Sequence, residues 1–157
     1  MSYELRAVIA GEDVLRGVVR ELPAARSAPL GQGLSLLPMT DALFDAAGGG
    51  GDTTRPLGFW WLPAGFDARL AAWSATGPVA FVEAEYFGGV GEQRAAVWAG
   101  GALVLGPLAV EEGERFPAGG SPISQALRRL GAVARDGGDE FSAVGLGRHR
   151  RSGRWIS

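Results

Sequence analysis

The alternation of apolar and polar positions predicts a strand, a helix and a second strand at the start of the chain. Residues 3–10 have the composition of a strand, and residues 12–22 carry apolar side chains at helical spacing up to Pro23. Residues 30–39 predict a further strand in which the glycines permit a bulge. A short helix follows over residues 40–47, with Thr40 or Asp41 as its N-cap.

The middle of the chain predicts a meander of antiparallel strands. Residues 77–87, 93–99 and 102–108 have the composition of buried strands. Gly100 and Gly101 stand between the last two, and a Gly-Gly pair between apolar runs is typical of a two-residue hairpin turn.

Two amphipathic helices flank this meander. Residues 57–62 predict a bulky apolar strand whose two tryptophans lie in the core and at its rim, and Pro63 opens the first helix. Its apolar stripe consists of Phe66, Leu70 and Trp73. The second helix has Ser121 as its N-cap and Pro122 at its first position. Its buried stripe consists of Ile123, Ala126, Leu127 and Leu130.

These elements predict an α+β fold. We expect a mixed, mainly antiparallel sheet with a C-terminal meander at about residues 79–108 and amphipathic helices packed on it. The length of 157 residues fits a single domain, 1–157. Residues 48–56 are expected to form a flexible loop, and residues 145–157 a basic C-terminal tail.

The residue types that are missing exclude several classes of chemistry. The chain has no Cys, which excludes disulfides, thiolate catalysis and zinc–cysteine sites. Neither Lys nor Asn occurs, and all fifteen basic residues are Arg, so a local Arg cluster is weaker evidence for function than usual. A Walker loop requires Lys, and a dinucleotide fingerprint requires a third small residue where Arg94 stands. The glycines near residue 90 are therefore better explained by turn geometry.

The charge is divided unequally along the chain. Residues 1–144 carry eleven Arg and seventeen acidic residues, a net charge of −6, whereas residues 145–157 carry four Arg and no acid. A nucleic-acid binder presents a basic face on its folded domain, so we do not expect a nucleic-acid partner. No apolar run approaches the roughly 18 residues needed to cross a bilayer. We therefore expect a cytoplasmic protein without a membrane partner.

Residues 83–93, EAEYFGGVGEQ, concentrate polar side chains and glycines after a predicted strand. If residues 88–92 form a five-residue loop, position 85 faces position 95 across the hairpin. Alternation along the strands then puts three polar side chains on one face: Glu83, Glu85 and Gln93. The opposite face would carry Tyr86 and Arg94. The sequence thus predicts a polar cluster on an otherwise apolar hairpin.

This cluster has a catalytic interpretation and two simpler ones. Same-face side chains two residues apart on a strand are separated by about 6.5 to 7 Å, close enough for Glu83 and Glu85 to bind one cation or share acid and base catalysis. Gln93 would then orient water, while Arg94 or Tyr86 would hold the substrate. Alternatively, the face is solvated or paired to Arg, or it binds a protein partner.

The basic tail offers a second group of candidate residues. Arg148, His149 and Arg150 are expected to contact phosphates or an acidic partner, or to pair with the acidic body of the protein itself. His149 is the only histidine, so a Ser-His-Asp triad would depend on a mobile base. A zinc site would have to combine carboxylates with this one His, which zinc rarely accepts.

The run VEAEYFGGVGEQRAAVW, together with ISQALRRLG and DEFSAVGLGRHR, resembles a group of small bacterial cytoplasmic proteins associated with toxin-immunity-type loci. They share an E-x-E-Y-F-G-G-x-G-x-Q hairpin motif, and the match covers about residues 77–151. The resemblance implies a compact α+β protein that acts by binding. It implies no catalytic residue.

The hypothesis that best joins these observations is a non-enzymatic interaction protein of the immunity type. Its 83–94 hairpin would bind and neutralise a protein partner, without a cofactor or metal, and its acidic surface would steer a basic partner. The alternative is a carboxylate-based or divalent-metal-dependent hydrolase that uses Glu83 and Glu85, with a raised pKa on one of them. An uncovered hairpin edge is also compatible with a homo-oligomer.

Overall fold

Six strands form one sheet through the middle of the molecule, in a computed structural model that describes residues 2–49 and 55–156. The sheet order is β2-β3-β1-β4-β5-β6, and every neighbouring pair is antiparallel. The strands are β1 (Ser2–Gly11), β2 (Ala28–Pro29), β3 (Leu34–Pro38), β4 (Val79–Phe87), β5 (Val90–Ala99) and β6 (Ala102–Val110). The predicted meander is confirmed as β4, β5 and β6.

Helices cover both faces of this sheet, so the predicted α+β fold is confirmed. The α-helices of the described ranges are α1 (Glu12–Glu21), α2 (Asp41–Ala46), α3 (Phe66–Trp73), α4 (Pro122–Arg129) and α5 (Glu140–Val144). Short 3-10 helices span Pro56–Gly58, Leu146–Arg148 and Ser152–Trp155. None of the helices described is long and apolar enough to cross a membrane.

The central strands are apolar on both sides because each side faces its own hydrophobic core. One core joins α1, α2 and α3 to strand residues such as Val8, Phe81 and Ala96, and we call this side the α1 face. The other core joins α4 and α5 to residues such as Ile9 and Val82, and we call it the α4 face. The two faces alternate along each strand, as the pleat requires.

The helix starts predicted at Thr40 and Ser121 are confirmed by their capping hydrogen bonds. The Thr40 hydroxyl accepts from the backbone N–H of Leu43 at 3.1 Å, and the Ser121 hydroxyl accepts from the N–H of Ser124 at 3.1 Å. The Asp139 carboxylate caps α5 in the same way. Each cap satisfies an N–H that the helix itself cannot pair, a contribution of about 1 kcal/mol.

The predicted five-residue loop between β4 and β5 is wrong. Gly88 and Gly89 form a two-residue turn, with φ of 61° and 83°, and Phe87 pairs with Val90. Such a turn needs positive φ at both positions, which glycine adopts without steric cost. Because strand side chains alternate in direction, the changed register moves Gln93 and Arg94 to the faces opposite to those predicted.

The strand predicted over residues 57–62 does not form. Leu57 and Gly58 adopt left-handed conformations, with φ of 55° and 82°, and the chain crosses the α1 face as a 3-10 turn followed by irregular backbone. The backbone N–H groups of Trp60 and Trp61 bond to a side chain instead of a neighbouring strand. We call residues 55–62 the tryptophan segment. Of the predicted loop 48–56, residues 50–54 lie outside the described residues.

Other boundaries also differ from the prediction. The helix predicted to open at Pro63 begins instead at Phe66, after Gly65 with a φ of 81°. Only Leu34–Pro38 of the predicted strand 30–39 is extended, because Gln32 and Gly33 turn the chain with positive φ. The two-residue strand β2 at one edge of the sheet was missed. At the other edge, β6 is largely exposed and contains no charged residue.

The C-terminal tail is folded against β1. The N–H of Glu4 donates to the backbone oxygen of Arg150 at 2.8 Å, and the N–H of Arg6 donates to the hydroxyl of Ser152 at 2.9 Å. That hydroxyl donates to the Glu4 carboxylate at 2.9 Å, and the Trp155 side chain is buried in the α4-face core. The tail thereby supplies hydrogen-bond acceptors for backbone N–H groups in the part of β1 that extends beyond β3.

Gly91 and Gly17 give a direct test of the hairpin geometry. A Cβ at Gly91 would overlap the backbone oxygen of Glu85, so we expect Gly91→Ala to lower the free energy of unfolding by about 2 kcal/mol or more. Gly17 lies in α1 with open space around it, and Gly17→Ala should raise that free energy by about 0.5 to 1 kcal/mol. Urea denaturation of both variants measures the two changes. Equal changes in unfolding free energy for the two variants would contradict the close approach of β5 to β4 at Gly91.

Candidate functional site

Charged side chains form two rows across the α1 face, where the hydrophobic core ends. Arg6, Glu83 and Arg94 stand opposite one another on β1, β4 and β5, so their charges alternate. The next row toward the hairpin turn contains three carboxylates: Glu4, Glu85 and Glu92. Beyond them lie the apolar residues of the turn. The tryptophan segment runs over this charged region.

Glu83 is the buried centre of the first row. One carboxylate oxygen accepts from the N–H of Trp60 at 2.9 Å, and the other accepts from the N–H of Trp61 at 2.6 Å. Burial raises the pKa of Glu83, and this effect outweighs the opposing effects of the two N–H donors and of Arg94 and Arg55. The carboxylate therefore fixes an irregular loop to the sheet.

Arg94 is buried beside Glu83 and binds two further carboxylates. Its guanidinium donates to Glu92 at 2.8 Å and to Glu111 at 2.6 Å. Glu92 also accepts from the indole N–H of Trp60 at 2.8 Å. Burial alone would raise the pKa of Glu92, but the hydrogen bonds from Trp60 and Arg94 hold that pKa below its ordinary value. Arg94 thus joins β5, the tryptophan segment and the residue after β6.

Two further arginines stack on the tryptophans. The guanidinium of Arg55 lies 3.3 Å from the ring centre of Trp60 and donates to the backbone oxygen of Gly58 at 2.6 Å. The guanidinium of Arg6 lies 3.6 Å from the ring centre of Trp61 and binds Asp41 at 2.6 Å. Cation–π contacts of this kind orient both the ring and the cation. Both indoles are therefore held in place.

The space beneath the tryptophan segment is too small for a substrate. A cavity of about 20 Å³ lies among Glu83, Arg94 and the two tryptophans. That volume holds about one water molecule. Within residues 2–49 and 55–156, no group of three or more His, Cys, Asp or Glu side chains is arranged to bind a metal ion.

A larger groove lies in front of this cavity, beside the hairpin turn. Its volume is about 550 Å³, and we call it the acidic groove because its charged side chains are all carboxylates. Its walls consist of Trp60, Trp61, Glu85, Phe87, Val90, Gly91, Glu92 and Glu112. Phe87 is 78% exposed, Trp60 54% and Val90 52%. Large apolar side chains thus stand in water next to carboxylates.

The structure separates the residues that the sequence grouped together. Glu83 and Glu85 share the α1 face as predicted, but Arg94 joins them there, and Gln93 lies on the α4 face beside Tyr86. The side-chain oxygen of Gln93 accepts from the N–H of Ile123, at the start of α4. Gln93 therefore cannot orient a water molecule between Glu83 and Glu85.

The candidate residues of the tail contact the protein itself. Arg148 donates to the backbone oxygen of Pro29 at 2.7 Å, and its guanidinium lies 5.1 Å from the ring centre of Trp155. The His149 ring packs edge-on against Trp155, with ring centres 4.7 Å apart. The backbone oxygen of Arg150 accepts from the N–H of Glu4, and its side chain lines a pocket on the α4 face.

Several site residues were missed by sequence reasoning. The sequence prediction places Glu92 in a loop and gives no function to Arg6, Arg55 or Glu111. The charged rows do have a signal in the sequence. The spacings Glu4-x-Arg6, Glu83-x-Glu85 and Glu92-x-Arg94 put two charges on one face of each strand. The partners of Arg55 and Glu111 depend on tertiary packing.

Fold and site together define an α+β protein whose antiparallel sheet is covered on both faces and carries an acidic, aromatic groove at one hairpin. Comparison with protein-family models, curated proteins and solved structures finds no match to this chain.

The buried position of Glu83 predicts a pH-dependent effect of Glu83→Gln. Gln offers one acceptor oxygen where two N–H groups donate, so we expect the variant to lose about 1 to 3 kcal/mol of unfolding free energy. Because the pKa of Glu83 is raised on folding, the folded wild type retains the proton above the ordinary Glu pKa of about 4.3. The stability that Glu83 contributes therefore falls as the pH rises through this window. Urea denaturation should show a larger difference between wild type and variant at pH 4 than at pH 7.

Glu85→Gln is the matched control for this prediction. Glu85 lies two residues after Glu83 on the same face of β4. It is exposed and has no hydrogen-bond partner among the described residues. Its substitution should change the unfolding free energy by less than about 0.5 kcal/mol at either pH. A difference for Glu83→Gln that is constant with pH, or that grows at pH 7, would contradict the raised pKa.

Proposed function

We propose that the chain is a protein-binding protein that captures a basic segment of its partner in the acidic groove. The observation that carries this proposal is the exposure of Phe87, Val90 and Trp60 around the groove. Aromatic side chains dominate the energetics of protein interfaces, and exposed apolar groups rimmed by polar residues mark interaction sites.

Charge supports a basic partner. Glu85 and Glu112 line the groove without a hydrogen bond or ion pair to any described residue. Glu85 lies between Glu4 and Glu92 in the second charged row, and like charges directly opposite on a sheet repel one another. An arginine or lysine of the partner would relieve this repulsion. It would also give the complementarity that raises association rates.

The support beneath the groove favours tight binding. Trp60 is held by Glu83 through its backbone, by Glu92 through its indole N–H and by Arg55 through its ring. A side chain that is already ordered loses little conformational entropy when a partner binds. The groove therefore presents its aromatic wall in a fixed position.

We infer an immunity-type role for this binding, as the resemblance of the hairpin motif suggests. A toxin that acts on nucleic acid has a basic active site, and the acidic groove has the charge to cover such a site. The hairpin turn from Phe87 to Val90 would insert as the apolar centre of the contact.

The alternative, a hydrolase at Glu83 and Glu85, receives less support from the geometry. Both oxygens of Glu83 accept backbone N–H groups, and the adjoining cavity holds about one water molecule. Glu83 does have the raised pKa that this alternative predicted. The Gln93 that was to orient water lies on the other face of the sheet.

Capture from a lysate of the host tests the proposed site. Wild type and the double variant Phe87→Ala/Val90→Ala are immobilised, and the bound proteins are quantified by mass spectrometry. We expect one stoichiometric partner on wild type, reduced at least tenfold on the variant because the apolar anchors are gone. The purified pair should then associate more slowly as salt is raised, since screening weakens its electrostatic attraction.

Val133→Ala is the matched control for the capture experiment. Val133 is 63% exposed and lies outside the groove, so its substitution should leave capture unchanged. Equal capture of the partner by wild type and by Phe87→Ala/Val90→Ala would contradict the proposal. So would a salt-independent association rate or the absence of any partner.

A second surface favours self-association. Strand β6 is an uncharged edge with exposed Leu103 and Val104, and an exposed apolar edge pairs readily with another strand. We propose that two copies of the chain pair through β6.

Sedimentation velocity tests this pairing. We expect a concentration-dependent dimer for the wild type and a monomer for Val104→Lys, because a charge on an edge strand opposes pairing. Val104→Thr keeps a β-branched side chain and should still dimerise. A wild-type monomer at high concentration, or a dimer of Val104→Lys, would contradict the proposal.

A further inference from the structure

A separate pocket lies on the α4 face, on the other side of the sheet from the acidic groove. Its volume is about 330 Å³, at the lower end of the range of small-molecule sites, about 300 to 1,000 Å³. Four aromatic side chains line it: Tyr3, Tyr86, Phe116 and Phe141. Tyr3 and Phe141 pack edge to face, with ring centres 5.6 Å apart. We call it the aromatic pocket.

Tyr86 contributes a hydroxyl that needs a partner. Its oxygen is buried and has no hydrogen-bond partner in the described part of the chain. A buried hydroxyl without a partner costs free energy that a ligand group can recover. The neighbouring Gln93 has its oxygen committed to Ile123. Burial raises the pKa of Tyr86, and the Gln93 amide lies close enough to the Tyr86 hydroxyl to oppose that rise, although the pair does not reach hydrogen-bond geometry. The pocket therefore offers a hydroxyl that no described residue pairs with in good hydrogen-bond geometry.

Two opposite charges line the same pocket without pairing with each other. Arg150 forms no hydrogen bond or ion pair through its side chain within the described ranges. One oxygen of Asp139 accepts from the N–H of Ser142, which leaves the second oxygen available. A cationic ligand alone would meet Arg150, and an anionic ligand alone would meet Asp139. A ligand that carries both charges satisfies both residues.

We propose that the aromatic pocket binds a free aromatic α-amino acid. The ring packs among the four aromatic side chains, the carboxylate binds Arg150, and the ammonium group binds Asp139. In tyrosine and tryptophan, the polar group of the ring pairs with the Tyr86 hydroxyl. The bidentate geometry of a guanidinium suits a carboxylate, and aromatic rings pack well edge to face.

Isothermal titration calorimetry with the full chain tests this proposal. The probes are L-phenylalanine, L-tyrosine and L-tryptophan, together with 3-phenylpropionate and 2-phenylethylamine, which each lack one of the two charges. We expect at least one amino acid to bind at least tenfold more tightly than either single-charge compound. The proposal is overturned if none of the three amino acids binds, or if a single-charge compound binds as tightly as the amino acids do.

Substitutions then locate the binding in the pocket. Arg150→Gln removes the guanidinium, and Asp139→Asn removes the charge while keeping an N-cap that asparagine provides equally well. Each should weaken binding at least tenfold, and Tyr86→Phe should weaken the binding of tyrosine or tryptophan severalfold. Arg151→Gln is the matched control, because Arg151 is exposed and lies outside the pocket. Binding that survives Arg150→Gln and Asp139→Asn would place the ligand elsewhere and end the proposal.

Discussion

The acceptance of two backbone N–H groups by the Glu83 carboxylate is the interaction on which the rest of the site depends. The tryptophan segment pairs with no strand of the described residues, so its N–H groups need another acceptor where water is excluded. A carboxylate supplies both oxygens from one strand position. The indoles then lie within reach of Arg6, Arg55 and Glu92, and the wall of the acidic groove follows from that placement.

The sheet separates two regions of different chemical character. On the α1 face, charges are paired in rows and the remaining carboxylates face a groove rimmed by exposed apolar side chains. On the α4 face, the same two strands contribute Tyr86 and Gln93 to an aromatic pocket. Because strand side chains alternate, neighbouring residues such as Gln93 and Arg94 serve different surfaces. The hairpin motif thus contributes to two surfaces at once.

The sequence predicts most helices and central strands because each element buries one or both of its faces, so that its apolar residues recur at the spacing of a helix or a strand. It also predicts the caps at Thr40 and Ser121, since capping is local. It fails at the hairpin register, where the choice between two turn residues and five depends on pairing across the sheet. It also fails over residues 57–62, whose apolar composition suits a strand while Glu83, more than twenty residues away, accepts the N–H groups. Contacts between distant residues determine both outcomes.

The contact between β1 and the C-terminal tail bears on how the protein is made. Hydrogen bonds join Glu4 and Arg6 to residues 150–152, so the first strand gains these partners only from residues near position 150. During synthesis, chains emerge at about 5 to 20 residues per second, so β1 waits on the order of ten seconds for these partners. Until then, one flank of β1 stays open to pairing with other chains. While the chain is still being synthesised, the start of β1 is therefore open to pairing with the wrong strand.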